Sequence, residues 1–503
     1  MKKLIDKLFN TRVSTSYMFI LFGVSALMLA GYFSYAWFTV QGVQQYSVVT
    51  GTLNGTVAIG TNSVTIAGQG VLTYTPTTDS DTITLTVTNT NDRTVKNSIY
   101  YYNLSDSTIQ IGYASDSPTI PSTTGVSVAQ NKTLTYKIKI NNAKGKQIKI
   151  GSSIGLNNSN LTLPSGTTAF ALLSDPITVE KLIAKANPET LDYNTATTDQ
   201  KNQMWAFTHE ATEQLKATTD YRYIGANPNN FVKFNDELWR IIGVFDVDDG
   251  TGKIEKRMKI IRNESIGDDY SWDNKNTSTG AENDWGKNNW PDARLNYLLN
   301  PGHESETYGG SLYWNRKSGT CYSEKNNATT SCDFTSTGLT DEAKAMIGDA
   351  KWYLGGTSAW TTSSNGLASH WYKYERGTAV YGEYNTNWTG KVGLMYPSDY
   401  GYATSGGSST NRASCMAKEL YNWDDSSYSD CPNNDWLLNT STIQWTMSPS
   451  AVYSSHVFYA AHAGCVSDLD AINTRAASPV VHLKSTIKVI SGSGSSTNPF
   501  ILG

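Results

Sequence analysis

Phe231 to Phe245 reads FVKFNDELWRIIGVF, and this stretch decides the fold of the larger half of the chain. Two runs rich in β-branched and aromatic residues flank Asn235-Asp236, so the stretch predicts a strand, a tight turn and a buried strand. Asp246 to Gly252 then reads as a Gly-containing loop, and Lys259 to Ile261 as a third strand. Asp246, Asp248 and Asp249 invite a calcium reading, but the EF-hand spacing and its distal Glu are missing. An ordinary solvated hairpin turn is therefore expected.

Working outward towards the C-terminus, twelve of the fourteen Trp lie beyond Tyr223, and a small mixed core carrying much irregular, aromatic-laden surface is expected there. Short helices are expected over Ala293 to Leu299, after Pro291 at a first-turn position, over Asp341 to Trp352 and over Ser414 to Trp423. Long polar loops rich in Asn, Ser and Gly separate them. Trp436 to Leu483 closes the domain, with Trp436-Leu437-Leu438 and Val480-Val481-His482-Leu483 as packed anchors on either side of short strands. The predicted domain is 223–503, α+β in class.

Towards the N-terminus, Thr178 can cap a helix through Ala186, and Thr198 to Leu215 offers a second with Met204, Trp205, Phe207 and Leu215 as its apolar set. Residues 176–222 thus read as a helical linker, with His209 on its surface. Before it, Ile83, Leu85 and Val87 alternate with threonines, and Leu134, Tyr136, Ile138 and Ile140 alternate with Thr and Lys. That is the pattern of half-buried antiparallel strands. With a hairpin signal at Asn54-Gly55, residues 43–175 predict one β-sandwich of immunoglobulin-like or jelly-roll type.

The uncharged run Tyr17 to Val40, YMFILFGVSALMLAGYFSYAWFTV, is long enough as a helix to cross a bilayer of about 30 Å. Lys2, Lys3, Lys7 and Arg12 precede it against a single Asp6, so residues 1–16 are expected in the cytoplasm and the rest outside. A retained signal anchor is preferred over cleavage after Ala36, which would release the body. The net charge of −4 and a pI near 5.9 leave no basic stripe for a nucleic-acid partner. On the oxidising side, Cys321 with Cys332 and Cys415 with Cys431 are expected as disulfides, and Cys465 is left as a buried small hydrophobe. No spacing among the cysteines suits zinc.

Two resemblances add to this reading. FNDELWRIIGV, KIIRNESIG, YSWDNKNTSTGAENDWGKNNW, LLNPGHESE, WYLGG, WTGKVGLMYPSDYGYA and SPVVHLKS, in that order, resemble a family of uncharacterised surface proteins of Gram-positive gut bacteria. The late pattern of Trp-Leu-Leu, Ser-Pro and Pro-Val-x-Leu looks like the C-type-lectin-like fold shared with formylglycine-generating enzymes. The N-terminus, with Gly-x-x-x-Tyr-Ala-Trp-Phe and Val-x-x-Gly-Thr-Leu, is similar to TasA/camelysin-type secreted proteins. That likeness implies a sandwich that can lend its first strand to a neighbour.

No G-x-S-x-G, HExxH, P-loop or dinucleotide-binding fingerprint is present, so neither an enzyme nor a cofactor is expected. The leading expectation is a membrane-anchored adhesin-like protein binding an extracellular glycan or protein, and the alternative is a subunit of a cell-surface fibre that self-assembles through the sandwich. Recognition is placed on Trp445, Tyr453, His456, Tyr459, His462, Asp468, Asp470, Asn473 and Arg475, large or polar side chains among Ala, Ser and Gly between the two packed anchors. His456 and His462 could ligate a metal, but with no third ligand to name they read as exposed polar residues.

Overall fold

The computed structural model describes residues 24, 25, 28, 53–60, 62–106, 108–173, 176–267, 269–274, 285–323, 329–362 and 365–503. The membrane-spanning run read at 17–40 lies outside these, apart from Val24, Ser25 and Met28. No helix among the described residues is long and apolar enough to cross a membrane. The protein is mainly β-sheet and divides into two units, Met1–Ser174 and Asp175–Gly503.

In the first unit, the two alternating stretches become the strands Ser80–Asn89 and Thr133–Asn141. They are direct antiparallel partners, with Ile83 opposite Ile138, Leu85 opposite Tyr136 and Val87 opposite Leu134. Hydrogen bonding then runs through Asn54–Ile59 and Asn62–Ala67, where it reaches Gln69–Tyr74 by the single pair Ala67 to Gln69. Gly68, at φ +85°, makes the corner that only a residue without a Cβ takes easily. Beyond it, Ile148–Leu156 and Val95–Tyr102 continue the second layer. Val57, Leu85 and Ile138 of one layer share a core with Leu72, Ile99 and Ile150 of the other, the packing of a β-sandwich.

Asn54-Gly55 is not the expected turn. Both residues lie in the strand Asn54–Ile59, and the chain reverses at Gly60. A Cβ on Gly55 would fall 2.3 Å from Ile154 Cδ1, so this glycine serves close packing between layers. Asn54–Ile59 is paired on both sides, by Asn62–Ala67 and Ser80–Asn89, and offers no open edge to a neighbour. The strand similar to the TasA type falls on residues 48–53, of which only Leu53 is described.

In the second unit, Asn235 and Asp236 both have positive φ, 57° and 61°, closing the hairpin of Phe231–Phe234 and Glu237–Asp248 as the sequence suggests. The long strand pairs next with Ile254–Arg262, and that with Val480–His482. Phe231–Phe234 also runs parallel to Phe500–Leu502, the last strand of the unit. The acids after Phe245 belong to the hairpin: Asp248 accepts from the N–H of Gly250 and Gly252, Asp249 from that of Thr251, and Asp246 pairs with Lys256.

The segment expected as a helical linker, 176–222, is built differently. Thr178 does cap a helix, Val179–Ile183, and Thr197 caps Thr198–Lys201 with a reciprocal bond to Gln200. Beyond it the chain forms the strands Trp205–His209 and Thr218–Arg222, which join the main sheet through Glu237–Asp248. Trp205, Phe207 and His209 are buried alternately, so the two-residue period prevails over the helical spacing of the same apolar residues. His209 is consequently buried and stacks on Tyr372 at 3.7 Å, where a surface position was expected. Likewise, the helix expected over 341–352 ends at Met346 and continues as the strand Ala350–Tyr353.

Both disulfides are present, Cys321–Cys332 across the paired strands Ser318–Tyr322 and Thr329–Asp333, and Cys415–Cys431. Cys465 is free and half-buried, and burial together with nearby Asp424 pushes its thiol up to about 11, which keeps it protonated.

Candidate functional site

The residues proposed for recognition fall on and around a three-stranded sheet of Gln444–Pro449, His456–Ala460 and Val466–Asp470. His456 stands opposite Asp470, Phe458 opposite Asp468, and Tyr459 opposite Ser467. Because side chains alternate along a strand, His456, Asp468 and Asp470 share one face and Tyr459 takes the other. The expected single patch is therefore two.

Trp445 belongs to neither surface. Every residue of Gln444–Pro449 is buried, and the Trp445 indole N–H donates to the Tyr270 carbonyl at 2.9 Å. A tryptophan on a wholly buried strand, 1 % exposed, is core, and its indole cannot reach a ligand.

On the first face His456 is held by two acids. Its Nδ1 lies 3.0 Å from Asp468 Oδ2 and its Nε2 3.4 Å from Asp470 Oδ1. The hydrogen bond to Asp468 raises the imidazole pKa above its ordinary value; burial opposes this, and the charges of Asp468 and Asp470 reinforce it. Tyr453, 56 % exposed, lies over the ring with centroids 4.5 Å apart. The result is an aromatic plate beside two carboxylates whose outer oxygens can accept bonds from hydroxyl or amide donors.

What fixes this geometry is Asn288, which the sequence reading missed. It is 2 % exposed, and its side-chain amide donates to the carbonyls of Ser450, Tyr453 and His456 at 3.0, 2.8 and 2.8 Å. Its own N–H donates to the Ser454 carbonyl, so one residue pins the whole 450–456 loop. Trp285, 45 % exposed, accepts at its carbonyl from Ile472 N–H beside the turn after Asp470. The dense Asn and Trp content of WGKNNW was the available signal, but nothing in it says which loop it grips.

On the opposite face the Arg475 guanidinium lies 5.7 Å from the Tyr459 ring, and Arg475 pairs with Tyr270 across a short ladder. Asn473 bonds the Asp470 carbonyl and shapes the turn. His462 is exposed in the turn Ala461–Gly464, at the far end of the hairpin from His456, so the two histidines do not converge. No group of three His, Cys, Asp or Glu among the described residues is placed to hold a metal ion.

A second concentration of charge lies inside the unit. Asp399 accepts from Arg222 Nη1 and the Tyr396 N–H, both at 2.9 Å, and from Lys259 Nζ. Asp220 bonds Arg222 Nη2, and Glu375 pairs with Arg376 and accepts from Ser398. Burial raises the Glu375 pKa to about 7, and Arg376 and Ser398 pull it down only in part. Burial would likewise raise Asp399, but Lys259 and Arg222 outweigh it and hold the carboxylate ionised. The cavity beside these groups is about 30 Å³, room for about one or two waters and no substrate. This network ties the helix Pro397–Ala403 to the central strands rather than meeting a ligand.

No known protein family, curated protein or solved structure matches this chain.

Proposed function

We propose that this chain is a membrane-anchored extracellular surface protein whose second unit binds a glycan or protein ligand on the face of Tyr453, His456, Asp468 and Asp470. The supporting observation is the Asn288 clamp: an exposed aromatic ring and two carboxylates are held in one arrangement by a buried amide. Preorganisation of that kind lowers the entropy cost of binding. In this reading the second unit is a C-type-lectin-like scaffold and the first an immunoglobulin-like or jelly-roll spacer. The pairing of Phe231–Phe234 with the last strand of the unit in one sheet, with recognition on the loops between them, suits such a role. No reaction is proposed.

The test is a glycan and surface-protein array probed with the intact chain. Truncating a true anchor costs about 2 kcal/mol or more, so Tyr453→Ala with Asp470→Ala should lose the wild-type hits at unchanged melting temperature. Retention of every hit would refute the assignment. The topology is tested by a Thr90→Cys variant on intact cells, where an impermeant thiol reagent should label it. Protection of that position would place the body on the wrong side.

A further inference from the structure

One buried arginine of the second unit, Arg240, lines a cleft apart from the His456 face. Arg222, Arg257, Arg262 and Arg376 are all buried, and each meets a carboxylate. Arg240 is equally buried, 8 % exposed, and among the described residues no carboxylate lies within ion-pair distance of it. Its guanidinium is stacked between the rings of Phe231 and Trp436, at 4.3 and 4.5 Å from their centroids. Nε donates to Asn230 Oδ1 at 2.8 Å, while the terminal nitrogens reach only the carbonyls of Trp436 and Pro228, at 3.5 and 3.4 Å. A guanidinium has five N–H donors, so two remain, one on each terminal nitrogen.

A buried cation with no carboxylate at ion-pair distance is costly: desolvation lowers the Arg240 pKa to about 9, and the charge of Asp435 offsets this only in part. Asp435 makes no ion pair with it: burial pushes that carboxyl well above its usual range, the charges of Arg412 and Arg240 pull it back only in part, and its Oδ1 accepts the Leu437 N–H. Arg240 opens onto a cleft of about 290 Å³ lined also by Arg262, Asn439, Thr440, Ser441 and Gln444. Arg262 is already occupied by Glu237 and the carbonyls of Glu264 and Ser265. Glu264 lies at the same cleft, where its carboxylate accepts from the Asn263 amide. Of the two guanidinium groups lining the cleft, Arg240 is thus the one with no carboxylate paired to it.

We propose that this cleft binds the carboxylate of an acidic sugar, taken in bidentate fashion by the two spare N–H groups of Arg240. Asn439, Thr440, Ser441 and Gln444 offer hydroxyl and amide groups for the sugar hydroxyls, and the volume is that of a single-residue site. A planar fork of two donors matches a carboxylate, and the surrounding polar lining suits a sugar ring better than an apolar peptide side chain. The cleft is separate from the His456 face. Gln444 pairs with Ala460 at one end of its strand, and Pro449 pairs with Val457 near His456 at the other.

The experiment is calorimetric titration of the intact chain with glucuronate, glucose and triglycine. Glucuronate should bind and glucose, which differs by the carboxylate, should bind at least roughly tenfold more weakly. Arg240→Gln should lose roughly tenfold or more in glucuronate affinity. Because Arg240 is buried, Ser441→Trp provides an independent arm: it fills the cleft from an exposed loop position and should abolish binding while leaving the melting temperature unchanged. His456→Ala should bind glucuronate as the parent does. Equal affinity for glucose, no glucuronate binding by the parent, or full binding by Ser441→Trp would overturn the proposal. Tighter binding of triglycine than of glucuronate would overturn the sugar assignment in favour of a peptide carboxylate.

Discussion

Replacing Asp399 by Asn keeps the side-chain shape and removes one negative charge from the centre of the second unit. In the native structure that carboxylate is fully buried, compensates both Arg222 and Lys259, and accepts the Tyr396 N–H. The amide would leave Lys259 without its anion and Arg222 with Asp220 alone, and would turn a donor towards one of the two cations. Removing one member of a buried ion pair costs about 3–5 kcal/mol, against about 0–1 for an exposed pair. Urea unfolding followed by tryptophan fluorescence reads this unit directly, since thirteen of the fourteen Trp lie beyond residue 175. Asp399→Asn should lower the midpoint by an amount equivalent to about 3–5 kcal/mol at constant slope. Lys259→Met, which removes the opposite charge, should be strongly destabilising alone. The double variant should cost less than the sum of the two, by about 0.5–3 kcal/mol. A loss under about 1 kcal/mol for Asp399→Asn, or strict additivity of the pair, would refute the claim that this network holds the helix Pro397–Ala403 to the sheet.

Two further outcomes follow from the same structure. Because the folded-state pKa of His456 is raised, its contribution to stability is complete below the unfolded value of about 6.5 and is lost as pH rises through the raised folded value. Asp468→Asn should therefore remove part of the stability difference between about pH 5.5 and about pH 8.5, and identical pH profiles for variant and parent would exclude the His456–Asp468 bond as its source. Reducing Cys321–Cys332 or Cys415–Cys431, which close loops of sequence separation 11 and 16, should each cost about 3 kcal/mol. Single Cys→Ser variants that unfold at the parental urea concentration would contradict this.

The local pattern of the chain determined those features whose physics is local. Asn235-Asp236 makes the hairpin turn because both residues tolerate positive φ, and the Thr-spaced apolar residues at 83–87 and 134–140 form partner strands because a two-residue period leaves one face to bury. The two disulfides follow from cysteines close in sequence. Tertiary structure decided the rest. Asn54-Gly55 has the composition of a turn but lies in a strand, because Ile154 from the facing layer occupies the space a Cβ would need. Trp205 and Phe207 fit a helix face as well as a strand face, and only pairing with Thr218–Arg222 selects the strand. At the candidate site the side chains between 445 and 475 were legible as a group, but their division was not. Trp445 is core and Tyr459 faces away from His456, because burial and face are set by the register of three strands and by what covers them. Asn288, more than 150 residues earlier in the chain, holds the 450–456 loop through bonds that no local pattern encodes. The spare donors of Arg240 likewise exist only because Phe231, Trp436 and Asn230 meet around it, and no spacing along a single segment records that meeting.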